Sequence, residues 1–112
     1  MKILLIGSHR YKGTMAISAN NLKNEGHEVK IPAFDDHPDW NEYKICKHNL
    51  ELVKWADELF LWWDRRSMGT IFDFGMAFAL YKPMKVINEV KRSECKSYEN
   101  VLAYLTETEG NK

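Results

Sequence analysis

The chain has little of what would place a protein at a glance. It has two cysteines, Cys46 and Cys95, in no CxxC and at no metal-ligand spacing. A disulfide framework and a zinc site are therefore not expected, and two free, buried thiols in a reducing cytoplasm are. Net charge is also lacking, because 16 basic side chains balance 16 acidic ones. That removes the general electrostatic case for a duplex nucleic acid or an anionic membrane as partner, so any anion must be held by a local site. Long apolar runs are missing too. The N-terminal one, Ile3 to Ile6, is too short for a secretory h-region or a membrane span, and no later stretch is long enough. No repeat, low-complexity run or interdomain linker appears. The expectation is one cytoplasmic domain over residues 1–108, with 109–112 a frayed tail.

What is present is a globular composition, 45% apolar and 29% charged. Lys2–Gly7 and Glu58–Trp63 are short, nearly continuous apolar runs, as in central strands covered on both faces. Met84–Asn88 is a third strand, after the Lys82-Pro83 break. His27–Pro32 alternates polar and apolar and suits an edge. Helices are expected over Gly13–Asn24, with Gly26 as C-cap, and over Trp40–Ala56, Thr70–Tyr81 and Tyr98–Glu107. The alternation predicts an α/β fold, a doubly wound parallel sheet of four strands in order 2-1-3-4. The chain between Val90 and Tyr98 leaves little room for a fifth.

In such sheets ligands bind outside the carboxyl ends of the strands, beside the point where strand order reverses. The loops that meet there are Gly7-Ser8-His9-Arg10-Tyr11-Lys12-Gly13 and Asp64-Arg65-Arg66-Ser67-Met68-Gly69-Thr70, each leading into a helix. Glycines admit close backbone approach, hydroxyls and helix N-terminal amides donate to an anion, and arginine can clamp one. Neither loop is a GxGxxG or a P-loop. Asp73 reads two ways: as the acid of a Thr70-x-x-Asp73 capping box, or as a carboxylate reaching across the cleft mouth as a nucleophile. Asn49 interrupts the apolar stripe Ile45, Leu52, Ala56, either as a hydrogen-bonded core amide or as a cleft-facing group. The run Asp35-Asp36-His37-Pro38-Asp39 reads as a solvated turn, without the ligand spacing of a calcium loop. Tyr11, Phe34 and Trp40 lie in or near the cleft loops, where packing is the default and base stacking the alternative.

The stretch Ala56-Asp-Glu-Leu-Phe-Leu-Trp-Trp-Asp64, followed by Ser67-Met-Gly-Thr-x-x-Asp73-x-Gly75-x-Ala77-x-Ala79-x-x-Lys82-Pro83, resembles the signature of the nucleoside 2-deoxyribosyltransferases and of the related 2′-deoxynucleoside 5′-monophosphate N-glycosidases. Gly7-Ser8-x-Arg10 is similar to the first phosphate loop of the hydrolase branch, and the likeness spans roughly residues 3 to 88. The resemblance implies a flavodoxin-like fold, a homodimer or larger homo-oligomer whose sites are completed by a neighbouring subunit, and a nucleoside or nucleotide ligand without a cofactor. It implies covalent catalysis at C1′ of the deoxyribose, with Asp73 at the nucleophile's position and Asn49 near the proton donor's. Gly7, Ser8, Arg10, Ser67, Gly69 and Thr70 form the substrate-binding set, of which Ser8, Arg10, Ser67 and Gly69 fall on positions that hold a 5′-phosphate. Two positions depart from the pattern. The nucleophile is ordinarily Glu, one methylene longer, and about 1 Å of misplacement can cost on the order of a hundredfold in rate. Asn cannot donate a proton to a leaving base as an acid can. A nucleotide-binding or sensor domain that kept the pocket and lost the acids is the alternative.

Overall fold

A computed structural model describes residues 1–33 and 37–109. The strands are β1 (Lys2–Gly7), β2 (Glu28–Lys30), β3 (Glu58–Trp62) and β4 (Met84–Val86). The helices are α1 (Lys12–Asn24), α2 (Glu42–Trp55), α3 (Met68–Ala79) and α4 (Tyr98–Glu109), with a 3₁₀ turn at His9–Tyr11 ahead of α1. All pairings are parallel and the sheet order is β2-β1-β3-β4, as the pattern of runs predicts. β1 and β3 form the centre, where Leu5 aligns with Phe60 and Gly7 with Trp62.

Side-chain alternation along these two strands divides the core. Ile3, Leu5 and Trp62 pack with Met15 and Ala19 of α1 on one face. Leu4, Ile6, Leu59, Leu61 and Trp63 pack on the other with Leu52 and Val53 of α2, Phe74 and Ala77 of α3, and Leu102 of α4. The sheet is thus covered on both faces, one helix against three, which is why β1 and β3 are apolar almost throughout.

Helix ends follow from local chemistry. α1 stops at a Schellman motif: Gly26, at φ +95°, donates to the Lys23 carbonyl and His27 to that of Leu22. The same motif ends α3, with Tyr81 in the left-handed position at φ 56°. There Tyr81 N–H reaches the Phe78 carbonyl and Lys82 N–H that of Ala77. Lys82 then sends its ammonium to the carbonyls of Lys54 and Ala56 at 2.9 and 2.8 Å, capping the end of α2.

Several expectations need correction. α2 begins at Glu42 rather than Trp40, because the Asn41 side chain accepts from Lys44 N–H and fixes the N-cap there. β2 is shorter than His27–Pro32. α4 runs through Glu109, two residues beyond the expected end at Glu107. The two cysteines are free but not buried: Cys46 is half-buried and Cys95 exposed. No helix among the described residues is long and apolar enough to cross a membrane.

Candidate active site

The loop after β3 sets where α3 starts. Ser67 is its N-cap, with Oγ accepting from Thr70 N–H at 3.3 Å and hydrogen-bonded to Thr70 Oγ1 at 2.8 Å. The helix therefore begins at Met68, two residues before the expected Thr70. This overturns the Thr70-x-x-Asp73 capping box, because Thr70 is the third helical residue and Asp73 lies in the second turn. Asp73 shares the buried face of α3 with Thr70, Phe74 and Ala77 and is 8% exposed. No hydrogen bond from a described residue reaches its carboxyl, and burial alone pushes its pKa up to about 7. Next to it, Phe74 packs edge-on against Trp63 and Tyr98. Trp63 Nε1 donates to Glu99 at 2.6 Å, which draws the start of α4 onto this cluster.

The two cleft loops are joined by a residue to which the motif reading gave no role. Asp64 accepts from Ser8 Oγ at 3.2 Å through one carboxylate oxygen and from Arg66 N–H at 3.0 Å through the other. The Arg66 amide, the Ser8 hydroxyl and the charges of Arg10 and Arg66 together hold its pKa below the ordinary carboxylate value. The signal was present, since an aspartate whose carboxylate accepts from the amide two residues on is a common way to close such a turn. Asn88 was also missed. Its side chain replaces the last rung of the β3–β4 ladder, accepting from Trp63 N–H at 2.7 Å and donating to the Trp63 carbonyl at 2.8 Å. The same amide donates to the Tyr11 hydroxyl at 3.2 Å, so the loops after β1, β3 and β4 are tied together.

Gly7 has a packing reason. A Cβ there would stand 2.8 Å from Met15 Sδ and 3.1 Å from Trp62 Cβ. Arg10 is exposed, its guanidinium 5.6 Å from the Tyr11 ring centre. Gly69 is exposed at the start of α3 and Thr70 is buried. Asn49 is buried, and both ends of its amide are engaged by one residue: Oδ1 accepts from Ala33 N–H at 2.8 Å and Nδ2 donates to the Ala33 carbonyl at 3.2 Å. Trp40 is half-buried and stacks on His37 at 3.8 Å. Among the described residues no group of three or more His, Cys, Asp or Glu is gathered as metal ligands would be. Phe34, Asp35 and Asp36 lie outside the described residues.

The class defined by this sheet order, with the loops after β1 and β3 meeting at its carboxyl edge, is the flavodoxin-like α/β fold. Solved structures that share it include the 2-deoxyribosyltransferase of the psychrotolerant bacterium Bacillus psychrosaccharolyticus, with TM-score 0.64 and 20% identity over 94% of this chain and 96% of that one. The CMP N-glycosidase BcmB of Clostridium botulinum has TM-score 0.60 and 17% identity over 77% of this chain and 70% of that one. At these identities the likeness is one of fold. No family model matches the chain, and no curated protein does.

Proposed function

We propose that this protein cleaves or transfers the N-glycosidic bond of a 2′-deoxynucleoside or its 5′-monophosphate. The observation that carries the reading is Asp73, a buried carboxyl without a hydrogen-bond partner among the described residues, on the helix that starts at the carboxyl edge of β3. A largely buried carboxyl lacking an ion partner among the described residues has little to do for stability, and such groups concentrate at reacting centres. Two fold neighbours bear names of this chemistry, and the Asp64–Ser67–Asp73 segment carries the resemblance described above.

In the proposed reaction ionised Asp73 attacks C1′ of the sugar. The C1′–N bond breaks, its electron pair leaves on the base, and the base takes a proton from water. Water or a second base then displaces the carboxylate from C1′. Gly7, Ser8, Arg10, Ser67, Gly69 and Thr70 surround the sugar end. Asn49 acts through the loop it holds at Ala33. The working unit is a homodimer closed over the outer face of α3, where Met68, Phe72 and Phe78 are 83%, 52% and 54% exposed. Sedimentation should show a dimer at micromolar concentration, and Phe72→Glu should make it a monomer.

The second reading is a binding domain without turnover, favoured by the engagement of Asn49 with Ala33, which leaves no acid at that position. Incubating the protein with the common 2′-deoxynucleosides and their monophosphates, and chromatographing for free base, separates the two. Base release supports the enzyme. Saturable binding without release supports the sensor.

A further inference from the structure

We propose that the Tyr11 hydroxyl is a ligand-facing hydrogen-bond donor, and that Asn88 is the positioning residue that fixes it in that sense. The site thereby selects a nucleoside that carries an acceptor atom where the loops after β1, β3 and β4 meet. The inference rests on reading this edge as a nucleoside site, and it adds two residues which that reading did not use.

Trp63 decides the sense of every bond in the group. Its N–H can only donate and its carbonyl only accept, so the Asn88 amide has one permitted orientation. Oδ1 takes the N–H at 2.7 Å, and Nδ2 meets the carbonyl at 2.8 Å. The atom that stands 3.2 Å from the Tyr11 oxygen is therefore Nδ2, which has hydrogens to give and accepts none. Tyr11 is the acceptor in this bond. A phenol has a single proton, and that of Tyr11 is left over. Among the described residues no acceptor takes it.

The ring gives the hydroxyl little freedom to turn elsewhere. Tyr11 is half-buried and packs against the core of Ile3, Leu5, Met15, Ala19 and Trp62, with the Arg10 guanidinium 5.6 Å from its ring centre. Its hydroxyl is held over the carboxyl end of β3, and Trp63, on which Asn88 is seated, packs edge-on against Phe74, the neighbour of Asp73. A donor already held by a packed ring loses less freedom on binding than one on a flexible side chain. What it recognises is a group that accepts: a carbonyl or ring nitrogen of the base, or an oxygen of the sugar.

The test is titration calorimetry at neutral pH with the common 2′-deoxynucleosides, on the wild type, Tyr11→Phe, Asn88→Asp and the double variant. Tyr11→Phe keeps the packed ring and the Asn88–Trp63 pair and loses only the hydroxyl, so affinity should fall by about five- to tenfold. Asn88→Asp keeps a link to Tyr11 but reverses it, because a carboxylate accepts the phenol proton, and affinity should fall by a similar factor. Either change withdraws the same proton, so the double variant should bind no more weakly than the weaker single one. Comparing wild type and Tyr11→Phe on free bases and on 2-deoxyribose tells a base acceptor from a sugar one, since the loss follows the half that Tyr11 meets. A hydroxyl that only ties the loops together predicts that folded Asn88→Asp keeps wild-type affinity, and that result overturns the proposal. So does Tyr11→Phe with wild-type affinity, whatever the stability of Asn88→Asp. If the wild type binds no deoxynucleoside, the nucleoside reading falls and this proposal with it, a result distinct from binding that Tyr11→Phe leaves untouched.

Discussion

Asp64 and Asp73 stand nine residues apart in the chain and belong to opposite environments. Asp64 closes a turn at the cleft rim, accepts from Ser8 and Arg66, and is drawn toward ionisation by two arginines. Asp73 lies on the buried face of α3 with Phe74 and Ala77, without a partner among the described residues, and its proton is held to about pH 7. The same side chain is in one place a permanent anion that organises loops and in the other an acid poised near neutrality. Pairs of carboxyls pushed apart in this way divide roles at reacting centres. Here Asp64 ties the loops together, and under the proposed function Asp73 would carry the chemistry.

The largest effect that could break this division is on turnover. Asp73→Asn keeps the shape of the side chain and removes its nucleophilicity. Base release should fall by at least about a thousandfold, while deoxynucleoside affinity changes little. A variant that still releases base would move the chemistry elsewhere. In the wild type, release should rise with pH through about 7, because only the ionised carboxylate attacks. A rate flat from pH 5 to 8, read by stopped assays on ~unit pH steps, would contradict that role.

Next is stability against pH, where the two aspartates pull in opposite directions. Asp73 has a folded pKa of about 7 against an ordinary value of 3.8. The folded state binds its proton more tightly, so its stabilising contribution is complete below pH ~4 and is lost as pH rises to ~7. A shift of this size corresponds to about 4 kcal/mol at most. Asp64, with a lowered pKa, contributes in the other sense and loses its contribution in acid. Denaturant titrations of wild type and Asp73→Asn isolate the first term. The variant should gain relative stability steadily over that window, and parallel curves would show that Asp73 is solvated in the folded protein.

The fold was legible because its signal is burial. Runs such as Ile3–Ile6 and Leu59–Trp63 are apolar on both faces only if helices cover both, and that fixes two central strands and the sheet order. The end of β4 shows the limit. The expected strand runs to Asn88 and regular pairing stops at Val86, yet Ile87 N–H still reaches the Leu61 carbonyl and the Asn88 side chain completes the next rung. The start of α3 was misplaced because two hydroxyl residues, Ser67 and Thr70, compete as N-cap, and only their mutual hydrogen bond decides it. That contest also hid the environment of Asp73, which as a capping acid would have been solvated. Asp64 was seen only as the first residue of a loop, since its partner Ser8 is 56 positions away. Long-range polar pairs leave no periodicity to read.

The smallest effect sharpens the comparison from a third polar residue, Asn49. Its amide makes two hydrogen bonds to Ala33, one in each direction, and so pins the chain leaving β2 beside the cleft. Asn49→Asp restores an acid at the position where the resemblance calls for one, yet a carboxylate can serve only half of this arrangement. It can accept from Ala33 N–H, but its other oxygen then faces the Ala33 carbonyl, acceptor against acceptor. Unless it protonates, about 1–3 kcal/mol of stability should be lost, the cost of leaving a buried group unsatisfied. The protonated form repairs the pattern by donating to the carbonyl, which predicts that the loss is largest at high pH and shrinks in acid. The opposite trend, or equal stability to wild type at all pH, would show that the Ala33 clamp is dispensable and that Asn49 is free to face a ligand. If the clamp holds, the one proton of the new carboxyl is committed to the Ala33 carbonyl, so Asp73→Glu combined with Asn49→Asp should gain no more turnover than Asp73→Glu alone.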